Sequence, residues 1–149
     1  MLGVGQDLET LTRSSDWVKI MTYPRVFGPA GMPFELLGFA DWLSRRAMDQ
    51  SEALKLLTEV ANLPLPANIA GLRSVGLGSE VIRLEIEKSR HAGVNNLFAG
   101  IALVEMESVH ESTVDQIALD IEASRDADGI ALSWDLWHIP LERLRQISD

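Results

Sequence analysis

The chain has 149 residues, with 13 Lys and Arg against 22 Asp and Glu, a formal charge of −9. This composition is that of a globular domain with a real core. It carries no basic stripe to bind phosphate, which argues against nucleic acid and against an anionic membrane surface as partners. No Cys is present, so disulfides, thiolate nucleophiles and thiolate metal sites are excluded. No apolar run reaches the ~18–20 residues of a membrane span. The first residues lack the basic and apolar regions of a signal peptide, and localisation, cytoplasmic or secreted, stays open.

In chain order, Asp7 to Ser14 reads as a short helix with Leu8 and Leu11 inward. Trp17 to Tyr23 is rich in strand formers and stops at Pro24, which predicts a strand. Gly28-Pro29 and Gly31 signal turns. Pro33 suits the start of a helix whose apolar face holds Phe34, Leu37, Phe39, Ala40 and Leu43. Ser51 is placed to cap a second helix with Ala53, Leu54, Leu57, Val60 and Ala61 inward. The segment 68–78 has no clear pattern, and Gly76-Leu77-Gly78-Ser79 reads as an ordinary helix start.

Ser79 then caps a helix from Glu80 to about Ala92. Phe98 to Val104 is a continuous apolar run, expected as a strand, followed by Glu105, Met106 and Glu107. Ser112 and Asp115 stand at capping-box spacing before a helix with Val114, Ile117, Ala118 and Ile121 inward. Ile130 to Trp134 is a third apolar strand, and Pro140 opens a last helix. Strands separated by amphipathic helices predict parallel pairing with helical crossovers, hence an α/β fold.

Each strand changes character at its C-terminal end. The first ends in Tyr23-Pro24-Arg25, the second in Glu105-Met106-Glu107, the third in Trp134-Asp135-Leu136-Trp137-His138. Polar and aromatic groups gathered at that end mark the ligand side of α/β barrels and of doubly wound sheets alike. Met21 and Tyr23 are expected on one strand face, as are Glu105 and Glu107, with Trp134 inward on the Ile130/Leu132 face. Lys19 is expected deeper than Arg25, in need of a carboxylate partner.

Lys19-Ile20-Met21-Thr22-Tyr23 resembles the sixth strand of the chitinase-like family 18 glycoside hydrolases, which carries a Met-x-Tyr signature. Gly129 to Asp135 is similar to the eighth strand of such barrels, which ends in a Trp at the floor of the sugar site. Pro24 stands where that family usually has a carboxylate or amide, and the family's Asp-x-x-Asp-x-Asp-x-Glu strand has no counterpart here. The resemblance therefore implies a broader glycosidase-like barrel. It implies a partial (β/α)8 TIM barrel, about its last three β/α units, with a helical insertion over 26–78 and the remaining strands supplied by the parent chain.

The implied function is hydrolysis of glycosidic bonds in a polysaccharide or glycoconjugate. Glu105 and Tyr23 are the expected catalytic residues. Met21, Arg25, Glu107, Trp134, Asp135 and Trp137 are the expected contacts to a carbohydrate substrate, without metal or cofactor. Carbohydrate binding without cleavage is the first alternative. A metal-dependent sugar isomerase or aldolase-type barrel, joining Glu105, Asp135 and His138, is the second.

A sheet cut from a barrel exposes its edges and inner faces. Met21, Ile101, Leu103, Ile130 and Leu132 are expected on the inner face. On that expectation the chain by itself is aggregated or molten, and inactive.

Overall fold

The computed structural model describes residues 7–133 and Arg145. Among them the order is α1 (Leu8–Ser14), β1 (Val18–Ile20), α2 (Met32–Ser44), α3 (Gln50–Ala61), α4 (Ile69–Val75), α5 (Glu80–His91), β2 (Leu97–Ala102), α6 (Val114–Ala123) and β3 (Gly129–Ser133). The strands form one parallel sheet in chain order, β1-β2-β3. None of the described helices is long and apolar enough to cross a membrane. Of the last helix, expected from Pro140, only Arg145 is among the described residues, and it is helical.

Two cores meet on α5. Its Val81 belongs to a helical core with Leu36 and Ala40 of α2, Leu54 and Leu57 of α3, and Ile69 and Leu72 of α4. Ile82 and Ile86 belong to a sheet core with Leu97, Ala99, Ile101 and Leu103, joined by Ile117 of α6. Positions 82 and 86 share a row along the helix, while 81 and 84 lie on the adjoining face, so one helix serves two layers. Lys88 fastens the join, donating to the Ala61 carbonyl at the end of α3 (2.7 Å) and pairing with Glu85 (2.7 Å).

The parity of the strands reverses the expected one. Ile101 and Leu103 are fully buried under α5 and α6, with Val18, Ile20, Ile130 and Leu132 packed against the same core. That face is the helix-covered side of the sheet. Lys19, Phe98, Gly100, Ala102, Ala131 and Ser133 alternate with these residues and belong to neither core. The residues expected to be stranded in water are therefore the ones the helices cover, Met21 excepted. Helices thus cover the face expected to be exposed, while β1 and β3 remain the edges of the sheet among the described residues.

Gly100 shows how tightly this second face is built. A Cβ there would stand 2.8 Å from the Ile20 carbonyl oxygen and 3.3 Å from the Tyr23 ring. Phe98 lies across Gly129 and meets Trp17 edge-on, ring centroids 5.6 Å apart. Gly76 adopts φ 73° and approaches the Pro24 carbonyl, where a Cβ would be 2.6 Å away. The residue's backbone freedom lets α4 end there and turn the chain back toward β1.

Helix starts differ from expectation by one or two residues. Asp49, not Ser51, caps α3, its carboxylate accepting the Ser51 N–H (2.8 Å). Thr113, not Ser112, caps α6, in a reciprocal box with Gln116. Ser79 precedes α5 but makes no capping bond with its side chain. Asn68 caps α4, the helix in the segment without clear pattern. On α6, Ala118 is exposed and Asp120 is buried.

At the N-terminal end of the strands, Asp128 accepts the Leu97 N–H (2.7 Å) and an Arg90 N–H (2.9 Å). Arg90 also donates to the carbonyls of Val94, Asn95 and Asp126. The Leu97 amide, then the Arg90 guanidinium, hold the Asp128 carboxyl below the usual carboxylate range.

The parity is tested by paired substitutions. Ile101→Ala should cost about 2–5 kcal/mol in denaturant unfolding, while Ala131→Ser on the other face stays within about 0.5 kcal/mol. The reverse ranking would mean the faces are exchanged. A group with a depressed folded pKa stabilises above its unfolded value, and that stability is lost as pH falls through the folded pKa. The stability gap between wild type and Asp128→Asn should therefore be full at neutral pH and close in acid. A gap that does not change with pH would remove Asp128 from this role.

Candidate functional site

The C-terminal ends of β1 and β2 carry the described residues expected to act. β1 ends at Ile20, so alternation does not extend to the next residues. Met21 is 52% exposed, whereas Tyr23 is 6% exposed. The strand does not bring them together on one face, as the spacing had suggested. Thr22 between them is buried and donates its hydroxyl to the Gly100 carbonyl (3.0 Å). Tyr23 lies against Gly100, with the Lys19 ammonium 5.4 Å from its ring centroid. Lys19 thus meets the ring face of Tyr23, a favourable setting for a cation.

β2 ends at Ala102, and the following loop folds back through a Met106–His110 bridge. Ser108 takes φ 63° at its turn, and Glu105 and Glu107 are exposed on it. The shared strand face expected for the two carboxylates is replaced by a turn. Trp134, Asp135, Trp137 and His138 lie outside the described residues. The argument for Trp134 rested on the Ile130/Leu132 face being inward, and that face packs on the helices. No group of three His, Asp or Glu among the described residues is arranged to hold a metal ion.

Arg25 has the most developed environment of the expected site residues. Its guanidinium is buried and pairs with the buried Asp120 carboxylate of α6. It donates to the carbonyls of Leu77 (3.3 Å) and Gln116 (3.4 Å), and its Nε–H to Ser112 Oγ (3.4 Å). The other Asp120 oxygen accepts the Ser79 hydroxyl (2.6 Å). Asp120 and Ser79 therefore complete an ion pair in which several donors and acceptors are matched, the condition for burying charge.

The network continues into the β2–α6 loop. Ser112 Oγ lies 3.0 Å from His110 Nε2, and His110 Nδ1 contacts the Val104 carbonyl. A carbonyl only accepts, so Nδ1 carries a proton. With a neutral ring the bonds then run in one direction, Arg25 to Ser112 to His110 to Val104. A Ser–His contact of 3.0 Å is also nucleophile–base spacing. Here both side chains are buried and Ser112 Oγ already accepts from Arg25, so the pair ties the loop down.

Sequence reasoning missed Asp120, His110, Ser112 and Ser79 as partners of Arg25. The available signal was Asp120 itself, next to the apolar row of an amphipathic helix, at a height where a buried Arg needs a carboxylate. Backbone bonds surround the network: Phe27 N–H to the Val109 carbonyl (2.6 Å), and Leu77 N–H to the Pro24 carbonyl (2.8 Å). Together they fix the carboxylate-bearing loop against the end of β1.

No protein family, curated protein or solved structure matches this chain.

Removing one partner of a buried pair leaves an uncompensated charge. Arg25→Met and Asp120→Leu should each cost about 3–5 kcal/mol in denaturant unfolding. Arg25→Met combined with Asp120→Leu should cost less than either single change. A double variant showing the plain sum of both losses would refute the coupling.

Proposed function

We propose that this chain contributes the last β/α units of a glycoside-hydrolase-like barrel acting on a polysaccharide or glycoconjugate. The observation that carries the reading is the sheet itself: three parallel strands in chain order, with helices α5 and α6 packed on one face. In a barrel wall, strands likewise follow one another in chain order and helices form the outer ring, and that likeness supports the reading. The other face, with Lys19, Phe98, Gly100 and Ala131, becomes the barrel interior, and further strands pair with the edges of β1 and β3. The mouth of that barrel lies at the C-terminal strand ends, where the β2–α6 loop presents Glu105 and Glu107.

In this reading Glu105 is the carboxylate that meets the substrate, with Glu107 beside it. Tyr23 stands at the interior wall. Met21, exposed at the end of β1, offers an apolar surface to a sugar ring. Trp134, Asp135 and Trp137, which lie outside the described residues, are the further substrate contacts that the family resemblance implies. Arg25 changes role: it positions the carboxylate loop through Ser112 and His110 and leaves substrate contact to its neighbours.

A second reading, carbohydrate binding without cleavage, is favoured by one observation. The two exposed carboxylates sit on a single short loop, whereas glycoside hydrolysis uses carboxyls on opposite sides of the scissile bond, ~5–9.5 Å apart. In the first reading the opposed acid comes from another strand of the barrel.

Turnover of chito-oligosaccharides and aryl glycosides by the full-length protein separates the two. Hydrolysis that falls about 10²–10⁴-fold in Glu105→Gln, with binding retained, is the expected result. Saccharide binding without turnover would support the second reading. Neither binding nor turnover would end both.

A further inference from the structure

Helix α2 has a face that the described residues leave exposed. Pro33, Leu36 and Ala40 are buried against the other helices. On the far side, Phe34, Phe39 and Trp42 are each about half exposed. With Glu35, Gly38 and Arg45 they line a shallow groove of about 290 Å³. An outward helix face is ordinarily polar, and glycine inside a helix costs stability relative to alanine. A Cβ on Gly38 would meet nothing within 4 Å. Packing among the described residues therefore gives no reason for glycine at this position. The notch is open for close approach from outside.

We infer that this face docks onto the same face of a second copy of the chain, with the two α2 helices antiparallel. The placement of charge and bulk carries the inference. In a two-fold interface each contact occurs twice. When Glu35 of one copy stands opposite Arg45 of the other, the reciprocal pair forms at the opposite end. That same register puts Trp42 of each copy opposite Gly38 of the other, because both lie three residues inside a charged position. The largest side chain of the face then enters the notch. The structure shows no ion pair for Glu35 or Arg45 within the described chain, so both charges are available.

Trp42 is already held for this task. The Arg46 guanidinium stacks on its ring at 3.7 Å and donates to the Trp42 carbonyl (3.3 Å). A fixed indole loses less freedom on docking. The same stacking covers one indole face, and the side chains lining the groove bring polar groups from Glu35, Arg45 and the Trp42 indole N–H. A saccharide needs an open platform with convergent hydrogen-bond partners, so a protein surface fits better than a sugar. A contact centred on a helix of 13 residues is smaller than the ~1,600 Å² of a standard interface. The net charge of −9 on each copy opposes association at long range. The dimer is therefore reversible and dependent on concentration.

Sedimentation of the 149-residue chain over a wide concentration range tests this. Wild type should show a monomer–dimer equilibrium. Glu35→Arg and Arg45→Glu should each weaken it about tenfold or more, and the two combined should restore it to within a few-fold. Gly38→Leu should weaken it comparably while leaving the unfolding midpoint equal or higher, since leucine favours helix over glycine. Absence of any dimer, or association indifferent to all four variants, would overturn the proposal. Chito-oligosaccharide quenching of tryptophan fluorescence that disappears in Trp42→Ala would also overturn it, by making the groove a ligand site.

Discussion

A guanidinium cannot be taken out of water unless its charge and its N–H groups are matched. Arg25 stands just past the end of β1 and is buried, so the surrounding chain has to supply those partners. Asp120 brings the opposite charge from α6, Leu77 and Gln116 bring carbonyls, and Ser112 brings a hydroxyl. These partners come from three segments: helix α6, the link between α4 and α5, and the β2–α6 loop. Satisfying one side chain therefore fixes where α6 begins, how α4 returns toward α5, and how the β2–α6 loop lies over the strand ends.

A second arginine–aspartate pair works at the opposite end of the sheet. Arg90 and Asp128 tie the end of α5 to the starts of β2 and β3. It is partly exposed, where an ion pair contributes little by charge alone. Its value lies in the directed bonds to the Leu97 amide and three carbonyls. Between the two pairs runs the apolar face of the sheet, closed by Ile82, Ile86 and Ile117. Hydrophobic contact supplies most of the burial, while the polar pairs set the register of the elements against one another.

Apart from α4, the order of the described elements was legible because its signals are local. Turn residues at Gly28-Pro29 and Gly31, Pro33 at a helix start, and the helix read from Glu80 to about Ala92 place boundaries within a residue or two. Strand parity was not legible. The run from Leu97 to Leu103 is apolar or small throughout, so alternation cannot say which residues face the helices. Helix caps misled where two competent residues adjoin, as with Ser112 and Thr113 or Asp49 and Ser51. Asp120 was missed because aspartate is rarely buried without a partner, and that partner, Arg25, lies 95 positions away in the chain. The part of the site at Trp134 to His138 lies outside the described residues.

The central claim is that the buried Arg25 network, rather than the short strand β1, holds the carboxylate loop in place. Hydrogen exchange resolved at single amides tests it most directly. The amides of Phe27, Leu77 and His110, bonded to Val109, Pro24 and Met106, should exchange only through near-global opening, far more slowly than the exposed turn at Glu107. In Ser112→Ala the Phe27 and His110 amides should lose protection while Leu97 and Ile101 of β2 keep theirs. Rapid exchange at Phe27 and His110 in the wild type, or no response to the Ser112 substitution, would show that the loop is held by something else.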